Sequence, residues 1–281
     1  DRQTDRQTDR QTDRQTDRQI PKIIHYCWFG GNPKSKLIEQ CIASWKKYCP
    51  DWEIVEWNED NFDISCVPYM KEAYEAQKWA FVSDVARLMI IYQSGGVYMD
   101  TDVELLDSID PWVERNAFFA FESNRNIASG LGFGATKGHK AVKAMLDAYC
   151  GKHFTVNGKN KMIPCPGINT DAFRDLYVDF IRNGDTQQVQ DILVLSYGDY
   201  TKKAIHHGTG TWIENYKKRK GPYKDTKLKH LLRNYKIFDF IEHNWGKRAV
   251  SVYTFIAYDF LEMGVFYYIR RLFMKIKKRD K

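Results

Sequence analysis

The chain has 281 residues, 43% hydrophobic and 15% aromatic, with 8 Pro and 18 Gly, which excludes a disordered, collagen-like or linker-dominated protein. Its net charge of +7 is unevenly spread: residues 202–281 hold 20 of the 43 Lys+Arg but only 7 of the 36 Asp+Glu. The asymmetry points to an anionic partner for the C-terminal part: membrane lipid, nucleic acid or a phosphorylated substrate.

Residues 1–19 read DRQT four times and then DRQ, with no apolar residue and balanced Asp and Arg. Such a segment has nothing to bury, so disorder is expected. The codons GAC-AGA-CAG-ACA spell Asp-Arg-Gln-Thr and are the tetranucleotide GACA written three times. A four-base unit read in threes must encode a four-residue repeat, and gain or loss of one unit shifts the frame. The repeat is therefore expected to be a genetic on–off switch, that is, phase variation. The start of the chain lacks the basic-then-apolar run of a secretory signal, and the six cysteines form no CxxC pair. These features predict a reducing cytosol without zinc or disulfide frameworks. No run of 18 uncharged apolar residues occurs, so no ordinary spanning helix is expected.

The folded part is expected from Ile20 onward. Ile23 to Phe29 reads as a buried strand closed by Gly30-Gly31-Asn32-Pro33. Leu37 to Tyr48 has helical spacing, and Trp52 to Trp57 forms a second strand. Tyr69 to Gln93 is mostly helical, with Ser83 or Asp84 as a cap and Gly95-Gly96 as the stop. Val97 to Met99 is a short strand. Phe118 to Phe121 is another strand, 123–138 a glycine-rich loop and Ala141 to Tyr149 a helix. Pro164 to Thr170 reads as a loop, Asp171 to Arg182 as a helix, Ile192 to Leu195 as a strand and His206 to Trp212 as a loop. Strands alternating with helices define an α/β class.

The strongest chemical signal is Asp100-Thr101-Asp102 at the end of a strand. A turn there can bring both carboxylates onto one hard cation, and Mg2+ and Mn2+ favour oxygen ligands that bridge to phosphates. Alone, such a tripeptide is weak evidence and is more often a polar junction between strand and loop. Asp84 and Arg87 lie at i and i+3 on the preceding helix, so they share a face. An acid there accepts hydroxyl hydrogen bonds, and an Arg donates to phosphate or sugar oxygens. Val85, Leu88, Met89 and Ile91 leave little of this helix polar, which argues against a solvated ion pair. The glycines at 130–138 lack the GxGxxG arrangement, so a dinucleotide site is not expected; an acceptor-side loop suits them better. Residues 166–170 either line the acceptor pocket or make a turn.

The segment from Phe81-Val82-Ser83-Asp84-Val85-Ala86-Arg87-Leu88 to Gly95-Gly96-Val97-Tyr98-Met99-Asp100-Thr101-Asp102-Val103 closely resembles the DXD sugar-binding region of glycosyltransferase family 32. That family includes bacterial capsule and lipo-oligosaccharide transferases and yeast mannosyltransferases, and is related to the glucosylating domain of large clostridial toxins. Ile20 to Gly30 is similar to its first strand, and His206-His207-Gly208-Thr209-Gly210-Thr211-Trp212 resembles its HHxxGSW ending, with Thr211 where Ser is usual. The resemblance implies a GT-A nucleotide-sugar transferase fold with a mixed, mostly parallel sheet flanked by helices. It implies a nucleotide-sugar donor, UDP-hexose being preferred, a divalent metal (Mn2+ or Mg2+) and retention of configuration. It assigns Asp84 and Arg87 to the donor sugar and diphosphate, and Asp100 and Asp102 to the metal and donor phosphates. Trp28 stacks on the base and Trp212 closes over the donor. One of His206 and His207, here taken as His207, completes the metal shell.

Val250 to Phe273 is aromatic and apolar, and residues 270–281 carry seven Lys+Arg against Asp280. A basic, aromatic segment suits an interfacial helix on an anionic membrane, and equally a core helix with a solvated end. No nucleic-acid motif accompanies the charge, so no nucleic-acid partner is expected. The domain reading is a repeat over 1–19, a GT-A domain over 20–244 and a membrane-associating segment over 245–281. The expected activity is hexose transfer to a bacterial surface glycan, lipo-oligosaccharide or capsule, at the inner face of the inner membrane. Two rivals belong to other classes: a non-catalytic glycan- or membrane-binding protein on the same fold, and a metal-dependent phosphotransferase acting on sugar phosphates. Intact Asp84, Arg87, Asp100 and Asp102 weigh against the first, and product analysis decides the second.

Overall fold

The computed structural model describes residues 19–122 and 125–209. Residues 1–18, Trp212 and the basic C-terminal segment lie outside the described residues, and so do the expectations placed on them.

Strand β1 (Ile23–Cys27) leads into helix α1 (Lys36–Tyr48), which Ser35 caps by accepting the N–H of Ile38. Strand β2 (Glu53–Trp57) then pairs parallel to β1. The helical stretch expected over 69–93 is two helices, α2 (Pro68–Glu75) and α3 (Trp79–Ser94), with Gln77 at φ 56 in the break between them. Neither Ser83 nor Asp84 caps a helix. Both lie inside α3, and the Ser83 hydroxyl donates to the Trp79 carbonyl at 3.1 Å. Helix α3 is buried almost all round, so packing and not a cap sets where it begins. Gly95 ends it at φ 71, donating its N–H to the Ile91 carbonyl at 2.9 Å.

Next come β3 (Gly96–Tyr98), β4 (Val103–Leu105), β5 (Ala117–Ala120) and β6 (Phe133–Ala135). After these follow α4 (Lys140–Asp147), a small hairpin of β7 (Thr155–Val156) and β8 (Lys159–Asn160), and α5 (Cys165–Leu176). Strands β9 (Gln187–Val189), β10 (Ile192–Leu195) and β11 (Ala204–His206) complete the described chain. Two loops of the sequence reading are corrected. The glycine-rich segment contains β6, and Gly134 is needed there because a Cβ would stand 2.7 Å from the Phe118 ring and 2.9 Å from Val97. Pro164 to Thr170 opens α5, whose first turn accepts Pro166 because the N–H it lacks has no helical partner there. Helix α5 also ends at Leu176, well short of Arg182.

The architecture is α/β: a seven-stranded mixed sheet in the order β2-β1-β3-β6-β5-β10-β9, flanked by helices. The sheet is not mostly parallel. β1–β2, β1–β3 and β5–β10 pair parallel, whereas β6 runs against both β3 and β5, and β9 against β10. Strand periodicity divides the interior into two layers. Tyr98, Ala117 and Phe119 face α3 and α4, whereas Val97, Phe118 and Ala120 face Trp45, Val103 and Trp112. Strands β4 and β11 form a separate antiparallel ribbon. Among the described residues no helix is long and apolar enough to cross a membrane.

Candidate active site

The burial of α3 determines the chemistry of its two polar side chains. Asp84 and Arg87 are 7% and 3% exposed, and the i,i+3 spacing brings the Arg87 Nη2 to 3.1 Å from the Asp84 Oδ1. The same nitrogen is 3.1 Å from the Asp100 Oδ1, on the chain leaving β3. The guanidinium is fixed at its other edges. Nε donates to the Ser83 carbonyl at 2.9 Å, Nη1 to the Ser129 hydroxyl at 3.4 Å, and the group lies 4.8 Å over the Tyr98 ring. The Tyr98 hydroxyl donates to the Asp100 Oδ1 at 3.0 Å, so that oxygen is held twice. Burial pushes the Asp84 carboxyl up to about 6 against the pull of Arg87. Burial also raises Asp100, with Arg87 opposing it.

Asp102 lies at the mouth of β4. The β4–β11 ladder pairs Val103 with His206, which sets the His206 Nε2 3.1 Å from the Asp102 Oδ1. The Thr209 N–H and hydroxyl donate to the Asp102 Oδ2 at 2.8 and 3.0 Å. Burial would raise this carboxyl, but His206 and Thr209 outweigh it and hold it well below the usual range. Burial likewise lowers His206, and the Asp102 carboxylate more than reverses that.

The donor set fits a divalent ion. Asp100, Asp102 and His206 each offer a ligand atom within 4.8 Å of the others. The Asp100 Oδ2 faces Gly130, where any Cβ would collide with it, so that oxygen keeps open space beside it. Two carboxylates and one imidazole suit Mn2+ or Mg2+. The histidine in this cluster is His206. His207 is turned to Glu104, with its Nε2 2.9 Å from the Glu104 Oε2, because adjacent residues at a strand end face opposite ways.

Trp28 follows β1, and its ring nitrogen donates to the Asn32 carbonyl at 2.7 Å with the Lys34 ammonium 5.3 Å over the ring. Sequence reasoning missed Tyr98 and Ser129, and it took Gly130 and Asn169 only as members of segments suited to the acceptor side. The Asn169 Nδ2 donates to the Ser129 hydroxyl at 3.0 Å, and its buried Oδ1 has no hydrogen-bond partner among the described residues. Ser129 thus links α5 to Arg87. An Asn at the centre of a Pro-Gly segment was the available signal, and it was read as part of a loop.

A buried Arg between two carboxylates, next to three groups that could hold a metal ion at a strand end, is an arrangement with the chemistry to take a phosphorylated, metal-chelating ligand. Residues 35–119 match the family described as the glycosyltransferase sugar-binding region containing DXD motif, and Asp84, Arg87, Asp100 and Asp102 all fall within the match. Over those residues the chain is thus similar to a glycosyltransferase sugar-binding region of the DXD type. It is 30% identical over 128 residues to inositol phosphoceramide mannosyltransferase 3 of Schizosaccharomyces pombe, over 43% of this chain and 34% of that one. It is 27% identical over 131 residues to inositol phosphoceramide mannosyltransferase 1 of the same yeast, over 43% and 40% of the two chains. The chain therefore spans well under half the length of these relatives. Among solved structures, the PaToxG glycosyltransferase is similar with a TM-score of 0.45 at 17% identity, over 57% of this chain and 70% of that one.

Proposed function

We propose that the protein is a metal-dependent glycosyltransferase that moves a hexose from a nucleotide sugar, preferably UDP-linked, to a glycan or glycolipid acceptor. The observation that carries this is the placement of Arg87 between Asp84 and Asp100, beside the Asp102–His206 pair. Arg87 holds the donor diphosphate and offsets the charge that grows on it as the sugar leaves. Asp84 accepts hydroxyls of the donor sugar. Asp100, Asp102 and His206 would hold Mn2+ or Mg2+, which supplies further positive charge for the leaving diphosphate. Trp28 provides a flat surface for the base. In the proposed retaining reaction the acceptor oxygen bonds to the anomeric carbon, the bond from that carbon to the phosphate oxygen breaks, and the phosphate oxygen takes the acceptor proton.

The acceptor proposed is a bacterial surface glycan, lipo-oligosaccharide or capsule, reached at the inner face of the inner membrane. The basic, aromatic C-terminal segment and the frame-shifting DRQT repeat support that reading. Mannosyl transfer, the activity in the relatives' names, makes a mannose nucleotide the second donor to try.

The test is a panel of UDP- and GDP-sugars with and without Mn2+, scored for nucleotide release and for the product. Metal-dependent release of the nucleoside diphosphate from one donor is expected. Movement of a phosphorylated group, or no release from any donor, overturns the reading. Mixed synonymous codons across the repeat would overturn phase variation.

A further inference from the structure

The β7–β8 hairpin is a surface that the donor site does not use. The hairpin and the four residues after it, 155–164, are exposed without a break; Val156 lies in the hairpin, and Met162 and Ile163, the last 54% exposed, follow it. The turn is Asn157-Gly158 at φ 52 and 71, the two-residue type that holds a hairpin rigidly. Val156 lies directly across from Lys159 in the ladder. The base is pinned to α2. Glu72 takes the Thr155 N–H at 3.0 Å and meets His153 Nδ1 at 2.6 Å, and the neighbouring Phe154 is fully buried against Tyr69 and Phe81. The projecting part is thus an ordered tip on a packed root.

Apart from Glu72 at its base, the charge this stretch of chain carries has one sign. No Asp or Glu occurs from residue 148 to residue 170, and Lys152, Lys159 and Lys161 stand in that stretch. None of the three makes an ion pair among the described residues, and all are exposed. Exposed aliphatic side chains in one short stretch with exposed lysines match the two layers of an anionic bilayer surface, phosphates outside and acyl chains beneath. From Ile163 the chain passes through Pro164 directly to Cys165, whose thiol is 3.6 Å from the Ser129 hydroxyl that meets Arg87.

We propose that residues 155–164 form a membrane-docking segment, the hairpin and the strand exit after it, that sets its exposed aliphatic side chains in an anionic lipid surface. It is separate from the basic C-terminal segment and lies next in sequence to the floor of the donor site. The inference stands without the proposed donor chemistry, because lipid binding and nucleotide release are read separately. Docking there would bring the site to a lipid-anchored acceptor.

The test uses the full chain, with vesicles of phosphatidylcholine alone and of phosphatidylcholine mixed equally with phosphatidylglycerol. The wild type should float with the anionic vesicles only, and less in high salt. The variant K159E/K161E/I163S should lose at least about tenfold in vesicle affinity while melting at the wild-type temperature. Hydrogen exchange across 155–164 should slow on anionic vesicles in the wild type and not in the variant. Equal flotation of variant and wild type, or unchanged exchange in this segment while the protein is vesicle-bound, overturns the hairpin and leaves the C-terminal segment as the anchor. Binding to a soluble anionic polysaccharide but not to vesicles overturns the lipid reading.

Discussion

One nitrogen of Arg87, Nη2, lies 3.1 Å from a carboxylate oxygen of Asp84 and 3.1 Å from a carboxylate oxygen of Asp100. The first contact follows from helical spacing alone, and the second needs β3 to run beside α3. Asp84 and Arg87 are buried and Asp100 is half-buried, so removing the shared cation strands one buried acid and one half-buried acid.

Arg87→Ala should therefore lose stability as well as activity. Breaking a buried ionic cluster by removing one partner costs about 3–5 kcal/mol, and donor hydrolysis should fall at least about 100-fold. Asp84→Asn should melt much closer to the wild type, since burial already pushes this carboxyl up to about 6, and should still impair donor use. Thermal melts with matched nucleotide-release assays check this. Equal melting of Arg87→Ala and wild type would remove the pair from the stability argument. The result expected here differs from a purely catalytic role, which the helix spacing alone suggests.

The β4–β11 register separates the two adjacent histidines. His206→Ala should weaken Mn2+ binding, measured by calorimetry, and lower turnover; His207→Ala should leave metal affinity within about twofold, because it removes only a contact to half-exposed Glu104. Asp102→Asn should keep the fold and lower turnover at least about 100-fold. Full activity of Asp102→Asn, or of the wild type in excess chelator, would sink the metal assignment. A drop in metal affinity on changing His207 alone would reverse the choice of histidine.

Gly130 lets the chain pass the carboxylate of Asp100. A Cβ there would collide with the Asp100 Oδ2 and sit 3.2 Å from the Arg87 Nη1. Gly130→Ala should displace the carboxylate and cut activity about 100-fold, as ångström-scale misplacement does, with a modest change in melting. An active alanine variant would show that the Asp100 Oδ2 is not held for a ligand.

What the sequence made legible was local. Asp84, Arg87, Asp100 and Asp102 fall within one helix–turn–strand passage, so spacing and burial pattern could single them out together. Ser129 reaches Arg87, and Asn169 reaches Ser129, from distant parts of the chain, and no short-range pattern encodes that meeting. The choice of His206 depended on a strand register that leaves no trace in HHGTG. The strand at 133–135 was hidden because the glycine that lets it fit between Phe118 and Val97 reads as a loop residue. The start of α5 was hidden because Pro-Gly reads as a breaker, although a first helical turn tolerates both.

His25 gives the fold a predictable response to acid. Its ring is 2% exposed, at the centre of β1, and both nitrogens are used. Nε2 lies 3.0 Å from the Gly95 carbonyl and must donate to it, while Nδ1 accepts the Trp57 ring N–H at 3.0 Å. That fixes the neutral tautomer. A second proton would set two N–H groups against each other at Trp57. Burial lowers the ring to about 4 from an ordinary value of 6.5, despite the Gly95 carbonyl. Below pH 6.5 the unfolded chain binds a proton that the folded chain refuses, so stability falls as pH drops toward 4. The loss from this residue approaches about 3 kcal/mol over the whole window. His25→Gln keeps a donor for Gly95 and cannot titrate. Its stability relative to the wild type, from denaturant melts at several pH values, should improve steadily between pH 6.5 and pH 4. A difference that stays constant across that window would mean that the folded protein accepts the proton at His25.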